Sequence, residues 1–146
     1  MSRVELVLPE PPSFNAMIEL AKKRTRRTRS GGFMKRSLPV VYDQALEAYE
    51  VLCTAAIRTA GIRPPVEPWP RWRLASIHFR LHSERDWLEL AAGAKWAVDF
   101  LVRSGFVRGD SPREMERPQV WPTQEIDRQH RGVEIVIEAV EQRPAA

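Results

Sequence analysis

A single cysteine, Cys53, leaves no partner for an intramolecular disulfide, so a disulfide-stapled scaffold is excluded and a reducing compartment is expected. Cys53 falls within an apolar helical pattern, which makes it a small buried hydrophobe rather than a nucleophile. No apolar run approaches the roughly 18 residues of a membrane span, and no signal-peptide core opens the chain. Internal repeats are absent as well. The sequence reads as a soluble protein of 146 residues, 43% apolar and 29% charged, the length of one domain spanning 1–146.

Charge is unevenly placed. Residues 1–36 carry nine Lys and Arg against three Glu, whereas residues 37–146 carry fourteen against sixteen Asp and Glu. The excess centres on Lys22, Lys23, Arg24, Arg26, Arg27 and Arg29, followed by Ser30-Gly31-Gly32 and then Lys35 and Arg36. Such a run cannot pack in a core, so a mobile basic loop is expected at about 20–36. It suits a phosphate-binding arm for DNA, supplying sequence-independent affinity. A nuclear-localisation signal is the weaker use of the same pattern.

Hydrophobic periodicity outlines the elements. Arg3 to Leu8 alternates as a strand and is ended by Pro9, Pro11 and Pro12. Val41 to Ala60 has a helical stripe closed by Gly61, and a proline-rich connector follows at Pro64 to Pro70. Arg71 to His82 alternates again, with Ala75, Ile77, Phe79 and Leu81 expected on the inner face. The outer face has His78, Arg80 and His82. His78 and His82 would lie about 13 Å apart along a strand, too far to chelate one metal. A second helix is expected from Trp87 to Ser104, ended by Gly105. Strands at Gln119 to Ile126 and Val133 to Val140 flank a turn at Asp127 to Gly132. This order indicates an α+β domain: a mixed or antiparallel sheet with two main helices on one face.

The second helix and the turn after it carry the chemistry. Asp86, Glu89, Asp99 and Asp110 surround one lysine, Lys95. A clustered set of carboxylates binds hard divalent cations, which assist phosphodiester cleavage, and a lysine nearby can stabilise phosphate charge. The same residues have plain structural uses. Asp86 and Glu89 suit a helix N-cap with its companion acid, Lys95 and Asp99 an i, i+4 ion pair, and Asp110-Ser111-Pro112 a turn.

Two separated blocks carry a likeness to a known family. The first is Leu8-Pro9-Glu10-Pro11-Pro12-Ser13-Phe14-Asn15, a strand end followed by a PPS-x-N turn. The second runs from Arg85-Asp86 to Pro112 and contains Asp86, Leu90, Lys95, Asp99, Leu101, Gly105 and Asp110-Ser111. In order and spacing they resemble the RusA family of Holliday-junction endonucleases, in particular its phage-type members. The resemblance covers nearly the whole chain. It implies a RusA-like fold, a homodimer, and a Mg²⁺-dependent (or Mn²⁺-dependent) endodeoxyribonuclease resolving branched DNA during recombination and repair. It implies a cytoplasmic protein of bacterial or phage origin. Asp86 and Asp110 match family metal-binding aspartates, Lys95 the family lysine, and Asp99 a supporting acidic position.

The departures are specific. Leu88 stands where the family pattern has its second aspartate, Glu89 where it has asparagine, and Gly109 where it has the first of two aspartates. A site with one carboxylate removed needs a replacement, and Glu89 is the candidate, although its side chain leaves the helix about 100° from that of Leu88. The sequence therefore leads to a catalytic set of Asp86, Glu89, Lys95 and Asp110, with metal held by Asp86, Glu89 and Asp110. Its alternative is a catalytically impaired relative that binds junctions or other DNA without cutting. A basic RNA-binding or assembly protein is the third possibility.

Overall fold

The computed structural model describes residues 2–13, 26–27, 33–34 and 38–141. Strand β1 spans Arg3–Leu8, and two short strands, β2 (Arg26–Arg27) and β3 (Phe33–Met34), pair antiparallel. Helix α1 covers Leu38–Thr59, followed by β4 (Trp72–Leu81), helix α2 (Trp87–Arg103), β5 (Thr123–Ile126) and β6 (Gly132–Ala139). The main sheet has the order β1-β6-β4-β5. Its pairings are antiparallel except that of β4 with β5, which is parallel. The expected mixed sheet with two helices is therefore present, in an α+β domain.

One set of alternating side chains makes the core. Leu6 and Leu8 of β1, Ile77, Phe79 and Leu81 of β4, and Val133, Ile135 and Ile137 of β6 are all buried. Register aligns them in rows, Leu6 opposite Ile135 and Leu8 opposite Val133, with Ile77 and Phe79 opposite the same two β6 residues. The buried stripes of the helices join the same cluster, Leu46, Tyr49, Cys53 and Ile57 from α1 and Leu90, Trp96, Ala97 and Leu101 from α2. Cys53 is buried as expected, and burial pushes its thiol up to about 12. Among the described residues no helix is long and apolar enough to cross a membrane.

Both helices end where the glycines predict. Gly61 and Gly105 have positive φ, 73° and 86°. Beyond them the amides of Ile62 and Phe106 donate back to the Ile57 and Leu101 carbonyls, the wide closing bond of a Schellman cap.

Strand β4 differs from its expected phase. A bulge lies between Leu74 and Ser76, so Ala75 is the extra residue and the alternation resets across it. Trp72 is thereby fully buried on the same side as Ile77, although an odd number of positions, five, lies from one to the other. Leu74 packs against the core, and Ala75 does not belong to the inward set. A simple period-two reading cannot register a one-residue insertion.

Strand β5 is shorter than expected. It begins at Thr123, not Gln119, because Pro118 and Pro122 lack the N–H that a ladder needs. Consecutive strands β5 and β6 are also not neighbours, since β4 lies between them. The connection crosses the end of β4 and is strapped there, with Asp127 N donating to Leu81 O and Arg80 Nε to His130 O. Asp127 closes the turn by accepting from the amides of Gln129 and His130, and the His130 bond chiefly holds its carboxyl below the usual range.

The start of β6 tolerates no side chain. A Cβ at Gly132 would stand 2.7 Å from the Leu8 carbonyl oxygen, a backbone atom held by the β1–β6 ladder. Gly132→Ala should lower stability by about 1–3 kcal/mol, read as a reduced midpoint in thermal or urea unfolding. An unchanged midpoint would mean that β1 is not held against β6 at this point.

Candidate functional site

The two sequence blocks behind the family likeness meet in space. Arg85, just before α2, donates through Nη2 to Glu10 Oε1 at 2.9 Å and to the Pro11 carbonyl at 3.1 Å. Glu10 also pairs with Arg131 at 3.3 Å. Tyr49 of α1 donates to the Pro9 carbonyl at 2.7 Å, so the proline turn is held from two sides. Gln124 of β5 grips the backbone of Arg85, accepting from its N–H at 3.0 Å and donating to its carbonyl at 2.8 Å. Neither Arg85 nor Glu10 stood out as a site residue in the sequence. Only their membership of the two blocks marked them.

Helix α2 then places the acids in turn. Asp86 is the N-cap, extended at φ −69° and ψ 166°, and its Oδ1 accepts from the Glu89 amide at 2.9 Å. That satisfies one of the orphan donors of the first turn. Leu88 points outward, 79% exposed, while Glu89 is buried. About two and a half turns beyond Asp86, Lys95 Nζ lies 3.1 Å from Asp99 Oδ1 and 3.9 Å from Asp110 Oδ2. Asp99 is part-buried, and its Oδ2 accepts from the Tyr42 hydroxyl at 2.7 Å. Tyr42 and Tyr49 of α1 also meet Trp96 of α2, with ring centroids 4.8 and 5.8 Å apart.

Asp110 reaches Lys95 because its turn is pinned to β4. The Trp72 indole donates to the Gly109 carbonyl at 2.7 Å, and the Trp72 backbone bonds with Glu114 O and Glu116 N. Ser111 closes the turn on the Glu114 carboxylate. A groove of about 470 Å³ runs beside this group, with Leu74, Ile77, Val98, Met115 and Trp121 along it. Lys95, Asp110 and Arg117 border it, and the Trp121 ring is largely exposed.

The expected metal set is not assembled. Nine residues of helix separate Asp86 from Lys95, a rise of about 13 Å, and Asp110 meets the helix at Lys95. Glu89, the proposed replacement for an aspartate at position 88, is turned into the fold and not beside Leu88. Among the described residues, no group of three His, Cys, Asp or Glu side chains is spaced to hold a metal ion. The residues present do not fit a three-carboxylate Mg²⁺ site. The cap at Asp86 and the ion pair of Lys95 with Asp99 are both observed.

The basic arm is only partly in view. Lys22, Lys23, Arg24, Arg29, Lys35 and Arg36 lie outside the described residues, whereas the backbone of Arg26–Arg27 forms β2, paired with Phe33–Met34. On the outer face of β4, His78 is engaged by Thr123 at 2.7 Å and Glu125 at 3.1 Å, and Arg80 pairs with Glu134. These side chains serve the sheet, while His82 is exposed.

Burial first, then the Asp99 hydrogen bond, pushes the Tyr42 hydroxyl well above its ordinary value. Its neutral form is the stabilising one, so the contribution is complete below about pH 10 and is lost as pH rises further. Tyr42→Phe should cost about 1–2 kcal/mol at neutral pH. Its deficit against wild type should narrow in alkaline unfolding curves, and a deficit independent of pH would show that the hydroxyl bond contributes nothing. No family model matches this chain and no curated protein does, so the RusA likeness rests on the residues of the two blocks alone.

Proposed function

We propose that this protein binds branched DNA on a RusA-like scaffold without a complete cation site of its own. The observation that carries the reading is the Glu10–Arg85 contact, which unites the proline turn and the start of α2. Two blocks 75 residues apart in sequence form one structural unit, as expected if their joint likeness to the family reflects a common design. The dispersal of Asp86, Glu89 and Asp110 favours binding over cutting. Lys95 and Arg117 border the groove as phosphate contacts, and the exposed Trp121 ring offers an unpaired base a stacking surface. The basic run from Lys22 to Arg29 adds affinity that depends on salt and not on sequence.

A second reading, the metal-dependent junction endonuclease, is favoured by Asp110. Its carboxylate is half-exposed beside Lys95, and Mg²⁺ commonly takes only one or two protein carboxylates together with substrate phosphates.

Labelled four-way junction, incubated in EDTA or with Mn²⁺ and run on native and denaturing gels, separates the readings. A shifted band in EDTA with no nicks in Mn²⁺ supports the binder. Symmetric nicks that vanish in Asp110→Asn support the endonuclease. Preference for single-stranded RNA over the junction would sink both. Trp121→Ala should weaken junction binding by about 1–3 kcal/mol. Leu88→Asp puts an exposed carboxylate in the first turn of α2, where the helix dipole favours it. In a non-cutting wild type, that substitution should raise Mn²⁺-dependent nicking above the background.

A further inference from the structure

Apart from its charged border, the groove beside α2 is lined by apolar side chains. Ile77 and Val98 are buried there, Leu74 and Met115 are partly buried, and the Trp121 ring stands beside them, 58% exposed. No amide or hydroxyl side chain lines the groove. Its polar groups are Lys95, Asp110 and Arg117, all exposed. At about 470 Å³ it falls within the roughly 300–1,000 Å³ of small-ligand sites.

The segment that holds Trp121 is fixed at both ends. At one end the Glu116 amide donates to the Trp72 carbonyl at 2.9 Å. At the other, Pro122 is buried and Thr123 begins β5 opposite His78. Pro118 and Pro122 restrict the backbone between them. A ring presented on such an anchored segment loses little further freedom when a flat partner stacks on it.

Charge indicates what that partner carries. Lys95 shares its charge with Asp99 and Asp110, whereas the Arg117 guanidinium has no partner among the described residues. Arg117 is therefore the uncompensated cation of the groove. A flat ring joined to an anion matches both features, and a nucleotide is such a group. A base inside a duplex cannot enter, because both of its faces are stacked and its edge is paired.

We infer that the groove receives one unpaired nucleobase, stacked on Trp121 with its phosphate at Arg117, so that the preferred DNA carries an unpaired nucleotide at its branch. With no amide or hydroxyl to read the base edge, the site accepts all four bases. The inference rests on the DNA-binding reading and adds to it which DNA is bound.

Fluorescence anisotropy in EDTA compares three labelled four-way junctions: fully paired, with one unpaired nucleotide at the branch, and with an abasic unit in its place. The unpaired nucleotide should tighten binding about tenfold, similarly for all four bases, and the abasic unit should not. Trp121→Ala should bring the ratio near one, with an unchanged melting profile because the ring is exposed. 5-Iodouracil at the unpaired position should crosslink to Trp121 on irradiation, located by mass spectrometry. Equal binding of the paired and unpaired junctions overturns the inference while leaving DNA binding in place. So does an abasic unit that serves as well as a base, or a crosslink that avoids Trp121. A protein that binds none of the junctions fails the DNA reading itself, and the inference with it.

Discussion

The bulge at Ala75 decides where the rest of the candidate site can be. By resetting the alternation of β4 it turns Trp72 into the core, from which the indole reaches the Gly109 carbonyl. The backbone of Trp72 is bonded on both sides to the segment after that turn, at Glu114 and Glu116. The turn is therefore tethered to the sheet, and Asp110 is delivered to the middle of α2 rather than to its start. A strand that kept strict alternation through Ala75 would send Trp72 outward and leave the Gly109–Asp110 turn without its anchor. The meeting of Lys95, Asp99 and Asp110 is thus a consequence of sheet geometry.

The acids of α2 divide their labour along the helix. Asp86 neutralises an orphan amide at the N-terminus, Glu89 is buried, and Asp99 holds both a tyrosine of α1 and the lysine of its own helix. Each is partly engaged in the fold before any ligand is considered. Asp110 is the most available of them, half-exposed and only loosely paired. A metal recruited to this surface would have to compete with caps and ion pairs. DNA phosphate would find cations at Lys95 and Arg117 beside an apolar groove.

Much of the fold was legible because local rules govern it. The Asp86 cap, the Gly61 and Gly105 closures and the inward rows of β1 and β6 follow from residue type and period. The residues that misled did so for identifiable reasons. Pro122 shortens β5 because a ladder cannot use it, and Ala75 hides a change of phase that no period reveals. The parallel pairing of β5 with β4 depends on the whole topology. For the site, the types and order of the residues were readable, and so was the oddity of Leu88. The spacing of the carboxylates was not, since the rise of α2 and the anchoring of one distant turn set it. The tie from Arg85 to Glu10 was equally invisible, because it joins residues 75 apart.

The position of β6 sets the order in which the molecule can be completed. It is the last strand of the sheet in sequence and yet occupies the interior, pairing with β1 on one side and β4 on the other. Until it arrives, the inner edges of both partners lack their ladder, and Leu6, Leu8, Ile77 and Phe79 have no Val133 or Ile135 to cover them. Such a topology has a high contact order, which slows folding and exposes sticky edges in the meantime. On a ribosome, β1 must wait until the residues of β6 have emerged before it gains a strand to pair with.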